Sequence, residues 1–184
     1  CFNVESIAEL EVINELAAQR GKKARVCLRI NPDVGAHTNA KITTGLAENK
    51  FGIALQDMTA AIEEAQGMSN IQFLGLHFHI GSQILNMDDF AALCNRINDI
   101  QDTAERLHIK IENINVGGGL GIDYEAPDEN PIPNFEGYFA TFASHLRLRP
   151  GQQLHFELGR SVVAACGPLL ARTPYGLSLL HLLR

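Results

Sequence analysis

The sequence predicts an α/β fold, part of a (β/α)8 TIM barrel with about five strands and four helices, and three observations carry that expectation. Short β-favouring runs alternate with helical periodicities in units of roughly 40 residues, the pattern of parallel strands joined by helical crossovers. Polar motifs fall at or just beyond the carboxyl ends of separate strands: His77 and His79, the Gly117 to Gly119 run, and Glu157 to Arg160. That is where a barrel assembles its site. A whole barrel takes about 250 residues, so a chain of 184 holds only part of one. The competing architecture is a complete doubly wound sheet, which gathers its ligand contacts in one crevice at a switch point rather than at several strand ends.

Taken in order, Cys1-Phe2-Asn3-Val4 reads as the interior of a strand without a lead-in, so the chain is expected to begin inside a longer protein. Ser6-Ile7-Ala8-Glu9 has the form of a capping box, in which serine and glutamate take up free N–H groups of the first helical turn. Ile7, Leu10, Ile13 and Leu16 then recur at helical spacing up to Gly21. Ala24 to Ile30 is a β-favouring run closed by Asn31-Pro32, because proline cannot donate to a ladder. Asp57 is expected to cap a second helix carrying Met58, Ala61, Ile62 and Ala65, with the apolar run Ile71 to Ile80 after it. Asp88 and Asp89 fall in the first turn of a long helix whose Phe90, Leu93, Cys94, Ile97, Ile100, Ala104 and Leu107 share one face. Ile111 to Val116 is the next strand. Asn134 opens a fourth helix with Phe135, Tyr138, Phe139, Phe142 and Leu146 on one side, and Pro150-Gly151 leads into the last strand, Leu154 to Glu157.

A content of 46% hydrophobic and 20% charged residues fits one globular domain. The net charge of -6 comes without a basic stripe, which argues against nucleic acid as a partner. Charges interrupt every apolar run well before the roughly 18 residues of a membrane-spanning helix, so no membrane partner is expected. Cys1, Cys27, Cys94 and Cys166 are far apart with no C-x-x-C pair, a usage that points to a reducing, cytoplasmic setting and not to zinc.

Three motifs can carry chemistry. Gly117, Gly118, Gly119 and Gly121 follow a strand directly, so the loop either cradles an anion on its N–H groups or simply needs positive φ. It is neither G-x-G-x-x-G nor a P-loop, since Ile122 stands at the third Rossmann position and no lysine follows. Glu157 and Arg160 end a strand three residues apart. They either pair with each other, or act separately, the carboxylate on a protonated heteroaromatic nitrogen and the guanidinium on a phosphate or carboxylate. His77 and His79 alternate along a strand and point to the same side. A metal site is disfavoured because no carboxylate or cysteine accompanies them at ligand spacing. An imidazole stacked on a planar cofactor, with the Ser82 hydroxyl on a phosphate, is the other functional option.

These residues stand in a larger order. Phe2-Asn3-Val4-Glu5-Ser6 with Glu9-Leu10, Asn31-Pro32-Asp33-Val34, Thr44-Gly45-Leu46, Lys50-Phe51-Gly52-Ile53, Gly75 through Gln83, the Gly117 to Gly121 loop and Glu157 to Arg160 follow one another. This series resembles the diaminopimelate decarboxylase family of alanine-racemase-like, fold-type III pyridoxal phosphate enzymes, from Phe2 to Arg172. The resemblance implies that residues 1–172 are part of a pyridoxal phosphate-binding barrel domain, and that residues 173–184 do not match the family. It also implies conversion of meso-2,6-diaminopimelate to L-lysine and carbon dioxide, with an amino acid as substrate and a homodimer as the assembly. By the same resemblance, Glu157 keeps a proton on the pyridine nitrogen and His79 stacks on the ring, while Ser82, Gly118, Gly119 and Arg160 gather around the phosphate. The family's turn reads Glu-Pro-Gly-Arg; here Leu158 replaces the proline and leaves both charged groups in place. The family's Schiff-base lysine lies upstream of Phe2 in a Lys-Ala-Asn context. None of Lys22, Lys23, Lys41, Lys50 and Lys110 has that setting, so the catalytic amine is unassigned and this stretch alone is expected to be inactive. A related arginine or ornithine decarboxylase is the nearest rival, and a non-catalytic remnant that acts through interactions is the rival of another kind.

Overall fold

The computed structural model describes residues 1–35 and 51–167. Thr44-Gly45-Leu46, Lys41, Lys50, Arg172 and the 173–184 tail lie outside the described residues. Five strands alternate with helices: β1 (Phe2–Val4), α1 (Ile7–Gln19), β2 (Ala24–Arg29), α2 (Met58–Gly67), β3 (Ile71–His77), α3 (Met87–Arg106), β4 (Asn113–Asn115), α4 (Phe135–His145), β5 (Gln153–His155) and α5 (Gly159–Val163). Short 3-10 turns precede α2 and follow α5.

All strand pairs are parallel, and the spatial order β1-β2-β3-β4-β5 is the chain order. This decides between the two architectures, because a doubly wound sheet reverses its strand order at a switch point and this sheet never does. Curvature gives the same answer. Four inter-strand steps of about 4.8 Å would hold β1 and β5 about 19 Å apart in a flat sheet, yet Asn3 at one edge donates a 2.9 Å hydrogen bond to Glu157 beyond the other. The sheet is therefore rolled, as part of a barrel wall.

The two faces of the wall differ in chemistry. Val4, Val26, Leu28, Leu76 and Ile114 point outward into the core beneath the helices, against Leu10, Ile62, Phe90, Leu93, Tyr138 and Phe142. Asn3, Cys27, His77, Asn115 and His155 alternate with them and occupy the concave face. One irregularity sets this parity. Val26 pairs with Phe73 but Cys27 pairs with Gly75, so Leu74 is an extra residue in β3. Phe73 packs on the core below the bulge, and His77 above it faces inward; a one-residue shift exchanges the faces of a strand.

Local chemistry explains the helix boundaries. Ser6 caps α1 by accepting the Glu9 N–H at 3.2 Å, while the Glu9 carboxylate accepts from Glu5 N–H rather than from Ser6. Asn134 caps α4 as expected, accepting from Gly137 N–H at 2.9 Å. Asp57 does not cap α2: it sits in the preceding 3-10 turn with helical φ and ψ, and makes no side-chain capping bond. Asn86, which the sequence did not single out, caps α3 through the Asp88 N–H. The strands are shorter than the apolar runs, β3 stopping at His77 and β4 at Asn115, because the chain turns there into loops; Gly117 already has φ +70°. A fifth helix, the five-residue α5, joins the four expected ones; one turn is too short to leave a periodic signature.

Candidate active site

The site lies where the strands end on the concave face. Glu157 follows β5, and its carboxylate gathers donors from three other strands. Oε1 accepts from Asn3 Nδ2 of β1 at 2.9 Å and from Asn115 Nδ2 of β4 at 3.0 Å, and Oε2 accepts from His77 Nε2 of β3 at 3.3 Å. Partial burial by itself would raise the pKa of Glu157, but the hydrogen bond from Asn115, the electrostatic pull and hydrogen bond of His77, and the hydrogen bond from Asn3 outweigh it and hold the group below the usual carboxylate range. An ionised, half-exposed carboxylate results.

His79 stands two residues beyond β3, and its Nδ1 accepts the Gly118 N–H at 3.4 Å. Burial, then the positive charge of Arg29, lower its pKa to about 4, so the ring is uncharged at neutral pH. Asn115 ties the same loop to the carboxylate, since its Oδ1 accepts Gly117 N–H at 2.9 Å while its Nδ2 serves Glu157. The loop itself demands glycine. A Cβ on Gly118 would sit 2.1 Å from the Glu157 carbonyl oxygen, and Gly119 has φ +108° with a Cβ position 2.6 Å from Gly81 O. Ser82 lies in the partly buried turn after His79, between Gly81 and Gln83.

Arg160, in α5, does not pair with Glu157. Among the described residues its partners are neutral: Nη1 donates to Tyr124 Oη at 3.1 Å and to Gln83 Oε1 at 3.4 Å, and the guanidinium lies 5.8 Å from the Tyr124 ring centroid. There is thus no mutual ion pair, and the guanidinium stands beside Gln83 and Tyr124, next to the loop that carries the glycines. Gln83 also holds that loop, accepting Ile122 N–H and donating to Ile122 O. On the β1–β2 side, Arg29 is ion-paired with Glu5, whose other oxygen accepts Gly52 N–H at 3.2 Å.

Asn3, Asn115, Gln83 and Tyr124 are parts of the site to which sequence reasoning assigned no role. For the two asparagines a signal existed, namely polar side chains at inward-facing positions next to strand ends. Gln83 and Tyr124 meet only through the fold.

The family model for the pyridoxal-binding domain of pyridoxal-dependent decarboxylases matches residues 1–164. The chain belongs to this family. A diaminopimelate decarboxylase of Bacteroides thetaiotaomicron is 65% identical over 175 residues, which cover 95% of this chain and 45% of that protein. The crystal structure of a diaminopimelate decarboxylase from Helicobacter pylori complexed with L-lysine superimposes with a TM-score of 0.72 at 32% identity, over 88% of this chain and 40% of that one. A Paramecium bursaria Chlorella virus arginine decarboxylase shares the fold, with a TM-score of 0.62 at 21% identity and coverage of 86% and 38%. The chain spans less than half the length of these relatives.

The donor set fits the cofactor of the pyridoxal-dependent decarboxylases. A carboxylate kept ionised by its three donors suits a protonated ring nitrogen, an uncharged imidazole suits the face of an aromatic ring, and a guanidinium bonded, among the described residues, to neutral groups suits a phosphate. Among the described residues no helix is long and apolar enough to cross a membrane.

Proposed function

We propose that this chain is part of a pyridoxal phosphate-dependent diaminopimelate decarboxylase, an enzyme that converts meso-2,6-diaminopimelate to L-lysine and carbon dioxide. The observation that carries this reading is the 65% identity with the Bacteroides enzyme of that name, spread over 175 residues. Barrel residues up to Arg172 hold the cofactor in this reading. The bound cofactor supplies an electron sink for the pair left behind by the departing carboxyl group. Glu157 holds a proton at the ring nitrogen, which the sink requires, and its three donors keep it ionised for that task. His79 packs its neutral ring on the cofactor face. The N–H groups of Gly118 and Gly119, the Ser82 hydroxyl and the Arg160 guanidinium gather around the phosphate.

The enzyme works as a cytoplasmic homodimer in this proposal. Four free cysteines support the reducing compartment, and the exposed apolar side chains Leu85, Tyr124 and Ile132 support a subunit contact beside the site. The test is the whole enzyme incubated with pyridoxal phosphate and, separately, meso-diaminopimelate, arginine and ornithine, with released carbon dioxide and the amine product measured. L-lysine from diaminopimelate is the expected outcome. Turnover of arginine or ornithine in its place would overturn the substrate assignment.

A further inference from the structure

The two carboxylate oxygens of Glu157 are not equivalent. A carboxylate offers about four acceptor positions, two on each oxygen. Among the described residues, Oε1 fills both of its own with the amides of Asn3 and Asn115, whereas Oε2 accepts from His77 Nε2 alone. The remaining acceptor position is therefore on Oε2, and the imidazole beside it sets its direction. The side chain of His77 is 5% exposed, and among the described residues its buried Nδ1 has no hydrogen-bond partner. A proton on Nδ1 would be a buried unsatisfied donor, and in the imidazolium form it would add a buried charge, whereas a bare lone pair costs less. The hydrogen therefore resides on Nε2. Burial also lowers the pKa of His77 despite the neighbouring Glu157, with Arg29 at the end of β2 lowering it further and Glu5 after β1 opposing. The uncharged His79 stands two residues on.

We propose that His77 is a positioning residue: an Nε2–H donor that turns Glu157 so that Oε2 receives the ring N–H of the bound cofactor. This inference rests on the role given to Glu157 above. The neutrality has a purpose. An imidazolium would neutralise the carboxylate and weaken its hold on a second N–H, while a neutral donor fixes the direction and leaves the charge for the ring nitrogen.

The test uses the whole enzyme loaded with pyridoxal phosphate labelled with 15N in the ring, compared across His77→Leu, His77→Gln and Glu157→Gln. In His77→Leu the ring-nitrogen resonance is expected to move toward the unprotonated position, with kcat falling about tenfold to a hundredfold, the size of a lost hydrogen bond to a charged group. KM stays within about twofold, because the lost interaction serves the reacting state rather than uniform binding. His77→Gln, whose amide nitrogen supplies a donor in place of Nε2–H, restores both. In the unsubstituted enzyme, labelled histidine is expected to show the Nε2–H form of His77 at neutral pH and above. A protonated ring nitrogen in His77→Leu, or an Nδ1–H form of His77, would overturn the inference. If Glu157→Gln also left the ring nitrogen protonated, the role of Glu157 itself would fall; loss in Glu157→Gln with retention in His77→Leu removes only the role of His77. Should His77→Leu fail to fold, the tautomer spectrum and His77→Gln decide the matter.

Discussion

Replacing Gly118 by alanine adds one methyl group at the point where the glycine loop presses on the end of β5. The ideal Cβ lies 2.1 Å from the Glu157 carbonyl oxygen and 3.1 Å from its carbonyl carbon. A carbon–oxygen contact needs about 3.3 Å, so roughly 1.2 Å must be found by moving backbone, since no flexible side chain stands in the way. The Glu157 N–H is also bonded to Gly117 O at 2.7 Å, and a shift of that size breaks the bond that sets the height of Glu157 over the loop. Overpacking of this kind costs about 1–3 kcal/mol. A displacement of about 1 Å at a group that must meet its target within hydrogen-bond range costs about a hundredfold in rate. The assay pairs thermal unfolding with turnover of diaminopimelate in the whole enzyme, and Gly151→Ala serves as control. Gly151 has φ +81° with nothing within 4 Å of its Cβ position, so alanine there carries only the backbone penalty of about 1 kcal/mol and leaves turnover unchanged. If Gly118→Ala kept both stability and rate, the loop would not be fixing Glu157 and the reasoning would fail.

Four further outcomes follow from the same geometry. Glu157→Ala loses most decarboxylation in the whole enzyme while phosphate-end binding persists, as cofactor titration would report; near-normal turnover would refute the assignment. Asn3→Leu removes one donor from Glu157, whose pKa then rises, so the acid limb of kcat/KM moves to higher pH; the ionised form, favoured above its depressed pKa, is lost earlier as the pH falls, and an unmoved limb would contradict this. The 184-residue chain by itself associates, because among the described residues β1 and β5 are sheet edges with one strand neighbour each; a monomer with a cooperative thermal transition in sedimentation and calorimetry would argue otherwise. That chain with added pyridoxal phosphate forms no single stoichiometric adduct on borohydride reduction, which peptide mapping of its five lysines would check.

The element order and the helix ends were legible from the sequence, because both depend on neighbours a few residues away. The Ser6 and Asn134 caps are bonds to N–H groups three residues on, and the apolar spacing in α3 is a property of one helix. Asp57 misleads because it has the right chemistry for a cap but stands in a 3-10 turn with helical φ and ψ, which its own side chain does not reveal. The order of motifs carried the family, since His79, Ser82, the glycine loop and the Glu157 turn keep their spacing in the chain whatever the sheet does. Only the tertiary structure decided what those groups touch. Nothing local requires sequential strand order, or a roll tight enough for Asn3 to meet Glu157 across five strands. The extra residue Leu74 settles which way His77 points, and a period-two pattern by itself does not reveal a bulge. Likewise Arg160 is three residues from Glu157 in sequence yet bonds to Gln83 and Tyr124, because a helical turn carries its side chain away from the carboxylate and toward the loop beyond β4. Backbone periodicity is set by nearest neighbours, whereas the meeting of side chains from β1, β3, β4 and β5 at one carboxylate depends on closure of the whole wall.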